Sequence, residues 1–359
     1  MPRARRHTVP ASPSPLTRRT RRAGLAAVAA ACTLAVAACS TGAPAAAPSP
    51  APSDAPATYT PVTLDNCGTE VTFDAPPQRV VTIKSSTTET LLALGLADVL
   101  VGTAFADGPV PERWAADVAD VPVLSDKVPG QEALLEAEPD LVYAGWESNL
   151  STDGAGERST LADLGIATYV SPSACKAPGY QPDPLSFDDV LDEIREVGDV
   201  FGVPDAAEQV VAEQQATLDA IEPVDGGTAV WWSSGTDTPY VGAGIGAPQM
   251  LLAAAGLSNV FADVHDTWTS VGWEQVVAAD PDVLVLVDSA WNSAQKKMDF
   301  LATHPAASQL TAVREQRYVV VPFAATEAGV RNAQAAADVA DAVRALDAGT
   351  PAPDATTED

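Results

Sequence analysis

Gly130-Gln131-Glu132, six residues, then Pro139-Asp140-Leu141-Val142 recurs in the second half of the chain as Gly272-Trp273-Glu274, six residues, and Pro281-Asp282-Val283-Leu284. Each copy places a glutamate in the first turn of a short helix, followed by a Pro-Asp turn into an apolar strand. One such acid would merely complement a helix dipole, worth a few tenths of a kcal/mol. Two copies in matched settings imply two equivalent lobes, each presenting a carboxylate at the same structural place.

The sequence around each copy agrees. Upstream, Arg79-Val80-Val81-Thr82-Ile83 reads as a short buried strand that ends at polar Lys84-Ser85-Ser86-Thr87 before a helix over residues 88–94, stopped by Gly95. Further strands are expected at residues 99–103, 141–144 and 167–170, and a small hairpin at 62–64 and 70–73 around Asn66-Cys67-Gly68. Strand, polar turn and helix in alternation is the pattern of a parallel sheet covered by helices. Phe187, Val190, Leu191, Ile194, Val197 and Phe201 have the spacing of an amphipathic helix. After Gly202 a second helix starts, with Pro204 in a tolerated first-turn position, and runs to about residue 221. Pro223-Val224-Asp225-Gly226-Gly227 then breaks the chain, and strand Thr228-Ala229-Val230-Trp231-Trp232 restarts the alternation. The expected fold is α/β: two Rossmann-like lobes, residues 62–203 and 223–347, joined by a single long helix over 204–222, with a disordered tail over 348–359.

The amino terminus reads as an address rather than as fold. Seven arginines and no acid precede an apolar run over residues 23–38, which is too short and too rich in alanine to span a bilayer. The run ends at Val36-Ala37-Ala38-Cys39-Ser40, which resembles a bacterial lipobox; residues 1–38 are then a signal peptide and Cys39 carries lipid. Residues 39–61, mostly Ala, Pro, Ser and Thr, read as a disordered tether. Lys and Arg total 20, so loss of those seven leaves 13 against 48 acids. Such a surface repels nucleic acid and anionic lipid headgroups. Two further cysteines remain outside the signal, Cys67 and Cys175. In an oxidising compartment they are expected to form a disulfide, worth on the order of 4 kcal/mol by loop closure, with a pair of buried thiols as the alternative.

Residues 61–346 resemble the substrate-binding proteins of ABC importers for siderophores, cobalamin and related cofactors. The resemblance rests on the strand 79–83 leading to Thr88-Glu89-Thr90-Leu91-Leu92-Ala93-Leu94-Gly95, on both Glu and Pro-Asp repeats, and on the single connecting helix. It implies an extracytoplasmic receptor acting as a monomer, with a permease dimer and its ATPase as partners and no catalysis, cofactor or metal of its own. It also implies that Glu132 and Glu274 meet arginines on the two permease subunits. A narrower likeness, in Ile83-Lys84-Ser85-Ser86-Thr87, Val101 to Pro111 and Val321 to Asn332, is to an actinobacterial branch proposed to import the deazaflavin precursor F-420-0. A ferric siderophore, cobalamin or haem is the alternative ligand within the family.

Ligands of open α/β sheets lie beyond the carboxyl ends of the strands. Lys84, Ser85, Ser86 and Thr87 occupy such an end, where Lys84 would suit a phosphate or carboxylate, although Ser86 and Glu89 also have capping-box spacing. Trp146, Trp231, Trp232 and Trp291 follow or end strands and are candidates to clasp a planar ring, with at least one of Trp231 and Trp232 expected in the core. Arg331, with Lys84 and Lys296 or Lys297, completes an expected anion site. A metal-ion receptor is improbable with only His265 and His304 outside the signal, and an axial haem ligand would have to come from Tyr143, Tyr169, Tyr180 or Tyr240. An enzyme is the rival class, but no phosphate-binding Gly-rich loop or G-x-S-x-G elbow is present, and Gly242-Ala243-Gly244-Ile245-Gly246 reads as a turn feeding a helix over 247–255.

Overall fold

The computed structural model describes residues 59–181 and 183–349. Cys39, the expected signal and most of the expected tether and tail lie outside them. The hairpin is β1 (Val62–Asn66) paired antiparallel with β2 (Thr69–Phe73), and its turn is made by Cys67 and Gly68, both at positive φ. The tether ends earlier than expected: the Tyr59 hydroxyl donates to the carbonyl of Val200 (3.0 Å).

The first lobe then alternates β3 (Val80–Ile83), α1 (Ser85–Ala93), β4 (Leu100–Ala104), α2 (Glu112–Ala115), β5 (Val123–Ser125), α3 (Gln131–Glu136), β6 (Leu141–Ala144), α4 (Arg158–Asp163) and β7 (Ala167–Val170). Its five strands are all parallel, in the order β5-β4-β3-β6-β7. Helices cover both faces, so successive residues of β3 enter different cores: Val80 packs with Leu91 and Ile194, and Val81 with Leu134 and Leu161. That is why the strand reads as an unbroken apolar run.

α5 (Phe187–Val200) and α6 (Pro204–Asp219) follow as an antiparallel pair. α6 is the connection between the lobes. Ala207, Val210 and Val211 bury it against the first core, Ile221 just beyond its end packs on the second, and Arg344 donates to the carbonyl of Glu222 (2.7 Å). Sixteen residues at about 1.5 Å each make a strut of about 24 Å.

The second lobe contains β8 (Thr228–Ser234), β9 (Tyr240–Gly242), α7 (Ala247–Ala254), β10 (Ser258–Asn259), β11 (Trp268–Ser270), α8 (Trp273–Ala279), β12 (Val283–Asp288), α9 (Ala294–Thr303), α10 (Thr311–Arg314), β13 (Tyr318–Pro322) and α11 (Asn332–Asp347). The order is β11-β9-β8-β12-β13, with β10 on β8. Strands β8, β12 and β13 are parallel, whereas β9 runs antiparallel to both its neighbours, β8 and β11. The strand and helix alternation therefore does not simply restart. The link from Ser234 to Tyr240 is too short for a crossover, which takes a dozen or more residues, so the chain must fold back as a hairpin. Gly235 permits the reversal: its φ is +79°, and a Cβ there would strike the Thr238 carbonyl.

The Gly-x-Glu and Pro-Asp repeat is a repeat of backbone geometry. Gly130 and Gly272 are both extended N-caps, and six positions after each glutamate Glu138 and Asp280 take left-handed φ of 48° and 40°. Asp140 accepts from the backbone N–H of Gln78 (2.8 Å) and Arg79 (3.0 Å), and Asp282 from the N–H and hydroxyl of Thr228 (2.7 and 2.8 Å). Each Pro-Asp aspartate thus ties down the start of the neighbouring central strand.

Candidate functional site

A cavity of about 570 Å³ lies where the carboxyl ends of the two sheets face each other. The first lobe supplies Trp146 and Glu147 after β6 and Ser173, Ala174 and Lys176 after β7. The second supplies Tyr240 and Trp268 from the first positions of β9 and β11, Trp291 from the loop after β12, and Phe323 and Glu327 from the segment after β13. Tyr240 and Trp268 stack, with centroids 5.8 Å apart and planes at 17°, and Trp291 stands edge-on to Phe323 at 6.0 Å. Strand ends from both lobes therefore converge on one aromatic-walled space.

Lys84 does not line it. Its ammonium is fully buried, ion-paired with Asp107, and lies 3.8 Å from the ring centroid of Trp146, 4.5 Å from Phe105 and 4.9 Å from Phe323. It is the internal support of the Trp146 wall rather than an anion ligand. Gly145 makes room for it, since a Cβ there would come within 2.8 Å of the lysine stem. Ser85, Ser86 and Thr87 are buried in the first turn of α1: Ser85 exchanges hydrogen bonds with Asp107 (2.8 and 3.2 Å), and Thr87 donates to the Lys84 carbonyl (3.0 Å). None of the three lines the cavity. The Ser86–Glu89 capping box does not form, because Lys84 is the N-cap and Glu89 turns instead to Arg331.

Arg331 is likewise spent internally. Its guanidinium donates to both carboxylate oxygens of Glu89 (2.5 and 2.6 Å) and to the Pro109 carbonyl (3.0 Å), tying the start of α11 to the first lobe. Lys297 is buried and donates to the carbonyls of Val287 (2.5 Å) and Asn292 (2.8 Å); burial lowers its pKa to about 8. Lys296 is exposed at the start of α9 and is not at the cavity. The expected anion site of Lys84, Arg331 and a third lysine is therefore not assembled.

Of the four tryptophans expected at the cleft, Trp146 and Trp291 are there. The Trp146 indole N–H donates to Glu327 (3.0 Å), and Trp291 is 59% exposed at the lip. Trp231 and Trp232 are both core: Trp231 packs with Leu251 and Val339, and Trp232 with Trp273 and Leu301. Neighbouring strand residues do face opposite ways, but helices cover both faces of this sheet, so both directions lead to a core. Trp268, Asp107 and Glu327 went unassigned in the sequence. Asp107 and Glu327 lie just beyond β4 and β13, a position that marks them in the sequence, whereas Trp268 begins a three-residue antiparallel strand with no pattern of its own.

The cavity's charge is acidic. Glu147, Asp266 and Glu327 line it against Lys176 alone, and Lys176 already lies 3.7 Å from Asp266 and donates to the Thr267 hydroxyl (3.0 Å). Burial pushes the Glu327 carboxyl above its usual range, opposed by the Lys84 charge and the Trp146 N–H. Burial also raises Asp107 against the pull of Lys84.

Glu132 and Glu274 are exposed in the first turns of α3 and α8, away from the cavity. Cys67 and Cys175 are joined as a disulfide with Cα atoms 5.3 Å apart, linking the hairpin turn to the segment after β7. Tyr143 and Tyr169 are buried donors to Glu193 (2.8 Å) and Glu196 (2.5 Å), Tyr180 donates to Asp65 (2.6 Å), and Tyr240 alone of the four reaches the cavity. Among the described residues no group of three or more His, Cys, Asp or Glu could hold a metal ion.

The profile of the periplasmic binding protein family matches residues 80–325, about two thirds of the chain. The chain is a periplasmic binding protein. This periplasmic binding protein is 26% identical over 292 residues to an uncharacterised ABC transporter substrate-binding lipoprotein, YvrC, of Bacillus subtilis, with 79% of the chain and 85% of the relative covered. It is 30% identical over 242 residues to a cobalamin-binding protein of Halobacterium salinarum, covering 63% of the chain and 58% of that protein. A solved structure described as an ABC-type Fe3+-hydroxamate transport system from Saccharomonospora viridis matches with a TM-score of 0.67 and 28% identity, covering 78% of this chain and 98% of that one. Periplasmic binding proteins are extracytoplasmic solute receptors, not catalysts.

Proposed function

We propose that this periplasmic binding protein captures a ferric siderophore or a related cofactor and delivers it to an ABC importer. The observation that carries the reading is the aromatic cavity shared by two lobes at their strand ends. Its volume suits a solute of drug size, which favours a ferric chelate over the larger cobalamin. Haem is a second reading, favoured by Tyr240 in the cavity wall. Nothing in the named relatives supports the deazaflavin precursor F-420-0, and the cations expected to hold its phosphate, Lys84 and Arg331, are neutralised by Asp107 and Glu89.

In this reading Cys39 carries the lipid that holds the receptor at the outer face of the membrane, supported by the run ending in Val36-Ala37-Ala38-Cys39. Glu132 and Glu274 dock on the two subunits of a permease dimer, whose ATPase drives import. Support comes from their exposure at equivalent places of the two lobes. Two separated carboxylates fix orientation more than they add affinity. The test pairs binding with uptake. Glu132→Ala with Glu274→Ala is expected to leave quenching of tryptophan fluorescence by a ferric trihydroxamate unchanged while abolishing cellular uptake of the same chelate. Uptake at the wild-type rate would contradict the docking role, and absence of saturable quenching in the wild type would contradict the ligand class.

A further inference from the structure

We infer that the cleft selects its solute by charge, accepting neutral or cationic chelates and turning away polyanionic ones; this deepens the reading above and rests on it. Three carboxylates line the cavity against one ammonium, and that ammonium is opposed by Asp266 within 3.7 Å. The cations that could have reversed this balance are consumed: Lys84 faces Asp107 inside a cage of Phe105, Trp146 and Phe323, and Arg331 closes a two-toothed bond on Glu89. The walls act in the same direction. Tyr240, Trp268 and Trp291 all line it, and aromatic rings attract cations to their faces and not anions. A cleft between two lobes screens these fields less than open solvent does. The whole chain, at a formal net charge of −28, adds a long-range field of the same sign.

A polyanionic chelate would bring its charge against Glu327 and Glu147 with no free ammonium to meet it. A chelate with no net charge, or with a pendant ammonium, would offer N–H donors to the same carboxylates. Selection then comes from repulsion of the wrong class as much as from attraction of the right one.

The test is a titration of intrinsic tryptophan fluorescence with iron(III) chelates that differ in charge: ferrioxamine B (cationic), ferrichrome (neutral) and the triscatecholate ferric enterobactin (trianionic). The first two are expected to bind at least about tenfold more tightly than the third, a difference of about 1.4 kcal/mol. Glu147→Gln with Glu327→Gln is expected to narrow that gap several-fold. A triscatecholate that binds the wild type as tightly as ferrichrome overturns the inference. If no iron chelate quenches, the siderophore reading fails, and charge selection is then read with planar dyes: cationic proflavine bound in preference to anionic anilinonaphthalenesulfonate supports it, and the reverse order overturns it.

Discussion

Arg331 and Glu89 stand 242 positions apart in sequence, and both are buried where they meet. Removing one partner of such a pair leaves an uncompensated charge in a dry interior, at a cost of about 3 to 5 kcal/mol, while replacing both by apolar groups is often neutral. Arg331→Met is therefore expected to cost about 3 kcal/mol or more in urea unfolding, and Glu89→Leu with Arg331→Met to recover most of it. A double variant as unstable as the single one would contradict this account. Glu193 makes a second residue-scale prediction. It is buried on α5, accepts from the Tyr143 hydroxyl (2.8 Å), and burial lifts its pKa to about 7 against that hydrogen bond. An acid whose folded pKa exceeds its unfolded value keeps its proton longer in the folded state. Its contribution to stability is then complete below about pH 4.5 and is lost as pH rises through about 7, by roughly 3 kcal/mol in all. Urea midpoints of the wild type should fall over that window more steeply than those of Glu193→Gln, and parallel profiles would refute the assignment.

Elements were legible in the sequence wherever one local signal decided them. The Gly N-cap, first-turn glutamate and Pro-Asp turn located α3, β6, α8 and β12, and the apolar runs located β3, β4 and β7. The short strands β9 and β11 were not legible, because three-residue strands carry too little period and the direction of β9 was fixed by the length of the turn after Ser234. The same holds at the site. Trp146 and Trp291 follow their strands directly and could be read, while the roles of Lys84 and Arg331 depended on partners at Asp107 and Glu89 that no spacing reveals. The disulfide acts at this scale too. It closes a loop of 108 residues and moors the segment carrying Ser173, Ala174 and Lys176 into the cavity. Cys67→Ser with Cys175→Ser is expected to lower stability by about 4 to 5 kcal/mol and to weaken ligand binding as well. Unchanged affinity in calorimetric titration of the folded variant would show that the segment holds its place without the bond.

For the molecule as a whole, two sheets carry the aromatic walls of one cavity and several contacts hold the lobes in register. Trp146 bonds Glu327, Lys176 bonds Thr267, the Leu185 N–H donates to Ile245 (3.0 Å), and Arg331 grips Glu89. With α6 as a connection of about 24 Å as well, these contacts set the two lobes around one solute-sized cavity. Native mass spectrometry of the mature protein, after incubation with the small-molecule extract of its own culture, tests most directly that this cavity captures a solute. The account predicts one retained molecule per chain, lost when Trp146 and Trp268 are both replaced by alanine. A wild-type protein that stays at its bare mass, or an adduct that survives both replacements, would contradict it.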